Sequence, residues 1–260
     1  MMNESTLVKD VQLHNSCWGY CSLCRKPHFI AEGLARQSCL ELMNILEEKK
    51  RVDLSVPDND ANSIYSTDYL FGKARGQMFG VMVYQKPDGA LSTAKAFSGQ
   101  YDGEWEVEGW VKPLFDVYTF NSISFDVEKR IKQLGRQIDM PDVTPDHRNE
   151  LIRQRKKFSQ QLMKDIHSLY RLTNFRGETK TIYDVFTGRN GIPTGTGDCC
   201  APKLLNFAAQ NDLQPLGLAE FYWGRENRSG TRQHSRFYPS CEGKCQPILG
   251  FMLCGLKETE

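Results

Sequence analysis

GTGDCCAPKLLNFAAQ (195–210), LQPLGLAEFYWG (213–224) and HSRFYPSCEGKCQPILGFMLC (234–254) lie near the end of a 260-residue chain and carry five of its nine cysteines. The order reads as loop, helix, strand, loop, helix. Cys199 and Cys200 open the first helix; Cys241 and Cys245 open the second, just after Tyr238-Pro239. A helix N-terminus carries partial positive charge and unpaired N–H groups, and both favour a thiolate. Two such termini meeting at one point predict a metal site of Cys199, Cys241 and Cys245. Cys200 is the alternative to Cys199, and His234 is a further candidate ligand. For sulfur donors of this kind zinc is the expected metal.

The neighbours of these cysteines have simpler readings. Glu220 sits on an apolar strand, so if buried it needs a partner, such as the loop that carries Cys199; otherwise it faces solvent at the strand end. Lys203 reads as a surface lysine with the option of an anionic contact. Tyr222 and Trp223 read as core or as a stacking surface for a base. Cys39 and Cys254 read as buried thiols.

Moving towards the N-terminus, TIYDVF (181–186) suggests a short helix. GIPTGTG (191–197) matches neither glycine-rich phosphate motif and reads as a connector. FDVEKRIKQLGRQI (125–138) and PDHRNELIRQRKKFSQQLMKDIHSLYRLTNF (145–175) are long, charged and helical, with Pro141 and Pro145 at the join. They predict a helical hairpin with Leu151, Phe158, Leu162, Ile166 and Leu169 as its apolar stripe. Residues 145–180 hold nine Lys or Arg against four Asp or Glu. Arg148, Arg153, Arg155, Lys156 and Lys157 are therefore candidate RNA contacts. A solvated coiled-coil face, in a structural protein that oligomerises, is the alternative.

The first 120 residues are less specific. Residues 1–16 read as a leader or an edge strand. CWGYCSLC (17–24) spaces Cys17, Cys21 and Cys24 as C-x3-C-x2-C. That pattern suits a second zinc site, an iron–sulfur cluster of the radical S-adenosylmethionine kind, or thiols packed in the core. The repeated strand–helix units of those radical enzymes do not follow. From Pro27, PHFIAEGLARQSCLELMNILEEKK (27–50) predicts a helix with Phe29, Ile30, Leu34, Leu40, Met43 and Leu46 at helical spacing. Residues 52–75 read as loop. QMFGVMVYQ (77–85) and ALSTAKAFSGQ (90–100) around Pro87-Asp88-Gly89 predict a hairpin. WEVEGWVKPLFDVY (105–118) suggests an irregular strand, with Trp105, Trp110 and Phe115 in the core.

Composition sets limits. The chain is 40% hydrophobic and 25% charged, with net charge +1, so only local patches argue for nucleic acid. No apolar run is long enough for a membrane helix, and the first residues lack the layout of a secretory signal. Nine cysteines in such a chain suit a reducing cytoplasm and metal ligation rather than disulfides.

With the helical arm set aside, the order helix, strand, strand, helix, strand, helix resembles the core of zinc nucleoside deaminases. That resemblance implies an α/β (α+β) fold: a deaminase-like three-layer core with an inserted α-helical hairpin. Residues 1–120 and 181–260 would form its two halves and 121–180 the basic insertion. Two departures count against catalysis. The last pair is C-x3-C rather than C-x2-C. The proton-carrying Glu two residues after the first ligand is replaced by Ala201, or by Pro202 if counted from Cys200. Loss of such a carrier costs about 10²–10⁴-fold in rate. Asp198 and Glu220 are the stand-ins to consider.

A second resemblance covers about 200 residues. MFGVMVYQ (78–85), AFSGQYDG (96–103), GWVKPLFD (109–116), NFRGE (174–178), GTGDCCAPKLLNFA (195–208), LAEFYWG (218–224) and FYPSCEGKCQPILGFML (237–253) look like the N-terminal extension of bacterial RluA-type pseudouridine synthases. The family's catalytic R-L-D-x-x-T-S-G-like segment is absent; the nearest string, Arg171-Leu172-Thr173, has Thr in the Asp position. No catalytic residue carries over. The resemblance implies an RNA-associated, zinc-bearing accessory module, silent by itself. Its implied partners are ribosomal or transfer RNA and a synthase catalytic domain. A zinc-dependent base or nucleotide deaminase is the alternative.

Overall fold

The computed structural model describes residues 17–257, so the leader or edge strand expected for 1–16 lies outside the described residues. The chain mixes helix and strand. A short hairpin of β1 (Cys17–Cys21) and β2 (Lys26–Ile30) comes first. Helix α1 (Ala35–Lys49) follows and buries Ala35, Cys39, Leu42, Met43 and Leu46 along one stripe. The expected helical start at Pro27 is corrected: residues 26–30 pair with β1, and Gly33 turns the chain at φ +48° before α1 begins. Phe29 and Ile30 therefore belong to a strand. Three short 3₁₀ turns occupy 58–71, within the expected loop.

The main sheet holds β3 (Gln77–Gln85), β4 (Leu91–Phe97), β7 (Gln214–Trp223) and the two-residue β8 (Arg236–Phe237). Its order is β4-β3-β7-β8, and every pairing is antiparallel. Alternation along β3 divides the core. Phe79, Val81 and Val83 pack with α1; Met82 and Tyr84 face the other side. There the sheet meets α5 (Cys200–Gln210), an apolar helix buried along most of its length. Each fully buried side chain of this size contributes about 1.5–3 kcal/mol. The β3–β4 turn over 86–90 has Gly89 at φ +88°, as Pro-Asp-Gly predicts.

Between β4 and the second half of the sheet lies the helical hairpin, α2 (Val117–Ile138) and α3 (Pro145–Leu169). Asp116 caps α2 and Thr144 caps α3, with Pro145 in the first turn. The ribbon β5 (Arg171–Thr173) and β6 (Thr179–Thr181) and the single turn α4 (Ile182–Val185) lead back to α5. The last helix is α6 (Gln246–Met252). Residues 105–116 form no strand, against expectation. Their aromatics pack instead: Trp105 and Phe115 are 4.9 Å apart and edge-on, and Phe115 stacks on Phe120 at 4.7 Å. Trp110 is buried in the other cluster, on the α1 side, edge-on to Phe79 and Phe97 at 5.5 Å each. Among the described residues no helix is long and apolar enough to cross a membrane.

Candidate metal centre

Cys199 is the N-cap of α5, and Cys245 is the N-cap of α6. Cys241 sits four residues earlier, in a turn closed by its carbonyl accepting from the N–H groups of Cys245 and Gln246, both at 3.1 Å. The three sulfurs lie within 4.8 Å of one another, and those of Cys241 and Cys245 are 3.3 Å apart. Sulfurs on a tetrahedral zinc stand about 3.8 Å apart, given bonds of ~2.3 Å. The donor set therefore fits a metal ion with a slight spreading of the pair.

Hydrogen bonds from Cys199 and Cys245 hold the Cys241 thiol well below its ordinary range, and the N–H groups of Cys245 and Lys244 add to that. Contact with Cys199, and then with Cys241, pushes the Cys245 thiol up, and the hydrogen bond with Cys241 pushes Cys199 up. Helix α6 has only seven residues, so the turn's own N–H groups, rather than a long helix dipole, favour a thiolate at Cys241.

Adjacent residues at a helix start point about 100° apart, which decides between Cys199 and Cys200. Cys200 turns inward and is fully buried, its thiol donating to the Met78 carbonyl at 3.3 Å. His234 is not brought to the cluster either. Its Nδ1 accepts from the Gly224 N–H at 3.1 Å, and its ring packs 4.3 Å from Trp223, at the end of β7. The Gly224 N–H needs an acceptor where the strand ends, and the imidazole serves there.

Two residues read from sequence as neighbours prove more informative. Glu220 is buried, and its Oε1 accepts from the Ala201 N–H at 2.8 Å. The carboxylate from β7 thus supplies the cap that Cys199 does not provide. Burial pushes its acid up to about 7. Lys203 is buried, against the expectation of a surface lysine; Nζ donates to the carbonyls of Phe97 and Gly99, each at 2.9 Å. Burial lowers its pKa.

Beside Cys241 lies a cleft of about 500 Å³ lined by Trp18, Arg232, Pro239, Ser240, Glu242 and Gln246. Trp18 Nε1 and Ser240 Oγ, on its walls, are buried polar atoms with no hydrogen-bond partner among the described residues. On the opposite side Tyr170, at the end of α3, donates to Asp198 Oδ1 at 2.5 Å, one residue before Cys199. Desolvation keeps the Asp198 acid above its ordinary range. Gly197 takes φ +96° there, and a Cβ would come 2.8 Å from the Tyr170 ring.

Cys17, Cys21 and Cys24 do not meet as a trio. Cys17 and Cys21 share a hairpin face but are four strand residues, about 13 Å, apart. Cys17 is buried in the core, where burial and then Glu220 push its thiol up. Cys21 and Cys24 join His28 and Cys254 instead, with one donor atom from each within 4.8 Å of the others. Spacing alone did not reveal this set, because Cys254 comes from the other end of the chain.

Arg148, Arg153, Arg155, Lys156 and Lys157 are all exposed on α3. Arg153 pairs with Glu150 at 2.8 Å, and an Arg148 Nη donates to the Met140 carbonyl. Leu151, Leu162 and Ile166 are buried as the stripe predicts, while Phe158 is 40% exposed. No protein-family model, no curated protein and no solved structure matches the chain.

Proposed function

We propose that this chain is a zinc-bearing, RNA-associated module with a deaminase-like core, silent as a catalyst on its own and acting beside a pseudouridine synthase domain. One observation carries the metal part: three thiols from two separate turns converge within 4.8 Å. The strand and helix order supports the deaminase-like core. Two antiparallel strands are followed by a cysteine-capped helix, a third strand beside the first, and a second cysteine-led helix. The exposed cations of α3 support RNA contact, and the Tyr170–Asp198 hydrogen bond ties that arm to the cysteine loop. Silence is supported by Glu220, which is buried and engaged in capping α5.

The reading is tested by two measurements on one preparation. Cys241→Ser should lose one zinc by elemental mass spectrometry. Binding to ribosomal or transfer RNA should weaken steeply with salt, and Arg153→Glu/Arg155→Glu/Lys156→Glu should abolish it. Salt-insensitive binding, or full metal in Cys241→Ser, overturns the reading.

The second reading is a zinc-dependent deaminase-like hydrolase. It is favoured by the place of the Glu220 carboxyl, on the N–H of the residue two after Cys199, where a proton carrier is otherwise missing. Ammonia release from cytidine, adenosine or RNA, lost in Glu220→Gln, would establish it.

A further inference from the structure

The hairpin of β1 and β2 does not lie on the main sheet. It packs on α6, and the contact is backbone on backbone. A Cβ on Gly19 would stand 2.3 Å from the Gly250 nitrogen, and one on Gly250 would stand 2.1 Å from the Tyr20 carbonyl carbon. Only glycine on both sides permits this approach. It brings the β1–β2 turn against the residues that follow α6.

Four donors meet there. Cys21 ends β1, and Cys24 lies in the turn just before Arg25, which takes the left-handed φ of 55°. His28 pairs with Gly19, and Cys21 with Lys26, so Cys21 and His28 point from one face of the hairpin. Cys254 comes two residues after α6 and is fully buried. Its sulfur is 3.2 Å from that of Cys24, across 230 residues of chain. The donor atoms of all four lie within 4.8 Å.

We propose that Cys21, Cys24, His28 and Cys254 form a second, closed zinc site that clasps the hairpin to the end of α6. Three sulfurs and one imidazole complete a tetrahedron and leave no position for water, which is the coordination of a structural rather than a catalytic zinc. The site has its own charge balance. Three thiolates and a neutral imidazole around Zn²⁺ leave one negative charge, and the Arg176 guanidinium donates to Cys24 Sγ at 3.3 Å. Around it the Phe175 N–H donates to the Cys254 carbonyl at 3.0 Å, which anchors the β5–β6 turn to the same point. A clip that closes so long a loop removes much freedom from the unfolded chain. The clasp is separate from the Cys199, Cys241 and Cys245 cluster and does not depend on the function proposed for it. Helix α6 runs between the two, so they sit on the order of 10–15 Å apart.

The test is metal content per chain, by elemental mass spectrometry of the full chain purified under reducing conditions without chelator. About two zinc ions are expected in the parent protein, about one in Cys254→Ser, about one in Cys241→Ser and none in the double variant. Parent-level zinc in Cys254→Ser overturns the clasp. So does a Cys24–Cys254 disulfide in the reduced preparation, read as an intact mass ~2 Da lower and, after alkylation of the unfolded chain, as two cysteines left unmodified. Full zinc in Cys241→Ser with loss in Cys254→Ser would remove the other site and leave this one standing. Should Cys254→Ser fail to fold, His28→Cys gives the answer. In the cobalt-loaded protein it should add a sulfur ligand, raising the sulfur-to-cobalt charge-transfer band and shifting the d–d bands. A spectrum identical to that of the parent overturns the site.

Discussion

The two cysteine clusters differ in what they leave open. Cys199, Cys241 and Cys245 are three donors beside a cleft whose walls carry two polar atoms unpartnered among the described residues. Cys21, Cys24, His28 and Cys254 are four donors beside an arginine. A three-donor set keeps a position for water or a ligand; a four-donor set fills its tetrahedron and serves the fold. The assembly of the two also differs. At the first, the Glu220 carboxyl reaches from the sheet to the start of α5, and Gly80 lets that helix come close: a Cβ there would stand 2.8 Å from Cys200 Cβ. At the second, two glycines bring backbone onto backbone. The lesson is that metal donors far apart in sequence meet only where something small allows main chains to touch.

The comparison breaks most sharply at Gly250. Gly250→Ala should cost more than ~3 kcal/mol in urea unfolding, because its Cβ would meet the main chain of Tyr20, which has no side-chain end to swing away. The clasp's zinc should be lost with it, while zinc at Cys241 is kept in whatever fraction remains folded. An alanine protein with both metals and parent stability would dissolve the distinction between the clusters.

Glu220→Gln sharpens the first cluster through pH. The Glu220 acid is raised from 4.5 to about 7 in the fold. The folded state therefore keeps a proton that the unfolded chain releases above pH 4.5. Its contribution is complete below that value and is lost as pH rises through about 7. At pH 8 the loss amounts to at most ~3 kcal/mol. Gln keeps the acceptor for Ala201 N–H but cannot ionise, so denaturation at pH 5 and pH 8 should differ less in the variant than in the parent. An equal difference in both would assign the pH dependence elsewhere.

Gly80→Ala should have a smaller effect, about 2–3 kcal/mol, because its Cβ meets the Cys200 Cβ at 2.8 Å, farther than the 2.1 Å main-chain approach at Gly250, and α5 must shift to relieve it. Zinc at Cys241 should fall and clasp zinc should not, read by metal analysis of Cys254→Ser and Cys241→Ser backgrounds. The smallest change is Cys200→Ser, expected to cost about 1 kcal/mol with metal content unaltered, since its hydroxyl can still donate to Met78. Cys199→Ser should instead lose one zinc. Equal metal loss in both would return the choice between these neighbours to the open state in which sequence leaves it.

Much of the frame was legible in advance. The β3–β4 hairpin is readable from two β-rich runs around Pro-Asp-Gly, and the helical hairpin from its apolar stripe and prolines, because those signals are local. The start of α1 was misread, since apolar residues 29 and 30 fit a helical stripe equally well until pairing with β1 claims them. Residues 105–118 were misread as part strand because aromatic, β-prone residues also serve to pack a loop.

By itself the sequence determined the cysteine-led turns at 199 and 241–245, the basic face of α3 and the hairpin of β3 and β4. Each depends on residues within a few positions of one another, where chain geometry dictates direction. Only the tertiary structure decided that Cys200 turns inward, that His234 serves the end of β7, that Lys203 is buried, and that His28 and Cys254 replace Cys17 beside Cys21 and Cys24. Those outcomes rest on contacts across many residues, up to the 230 between Cys24 and Cys254. Spacing along a chain says nothing about such contacts until the backbones have packed.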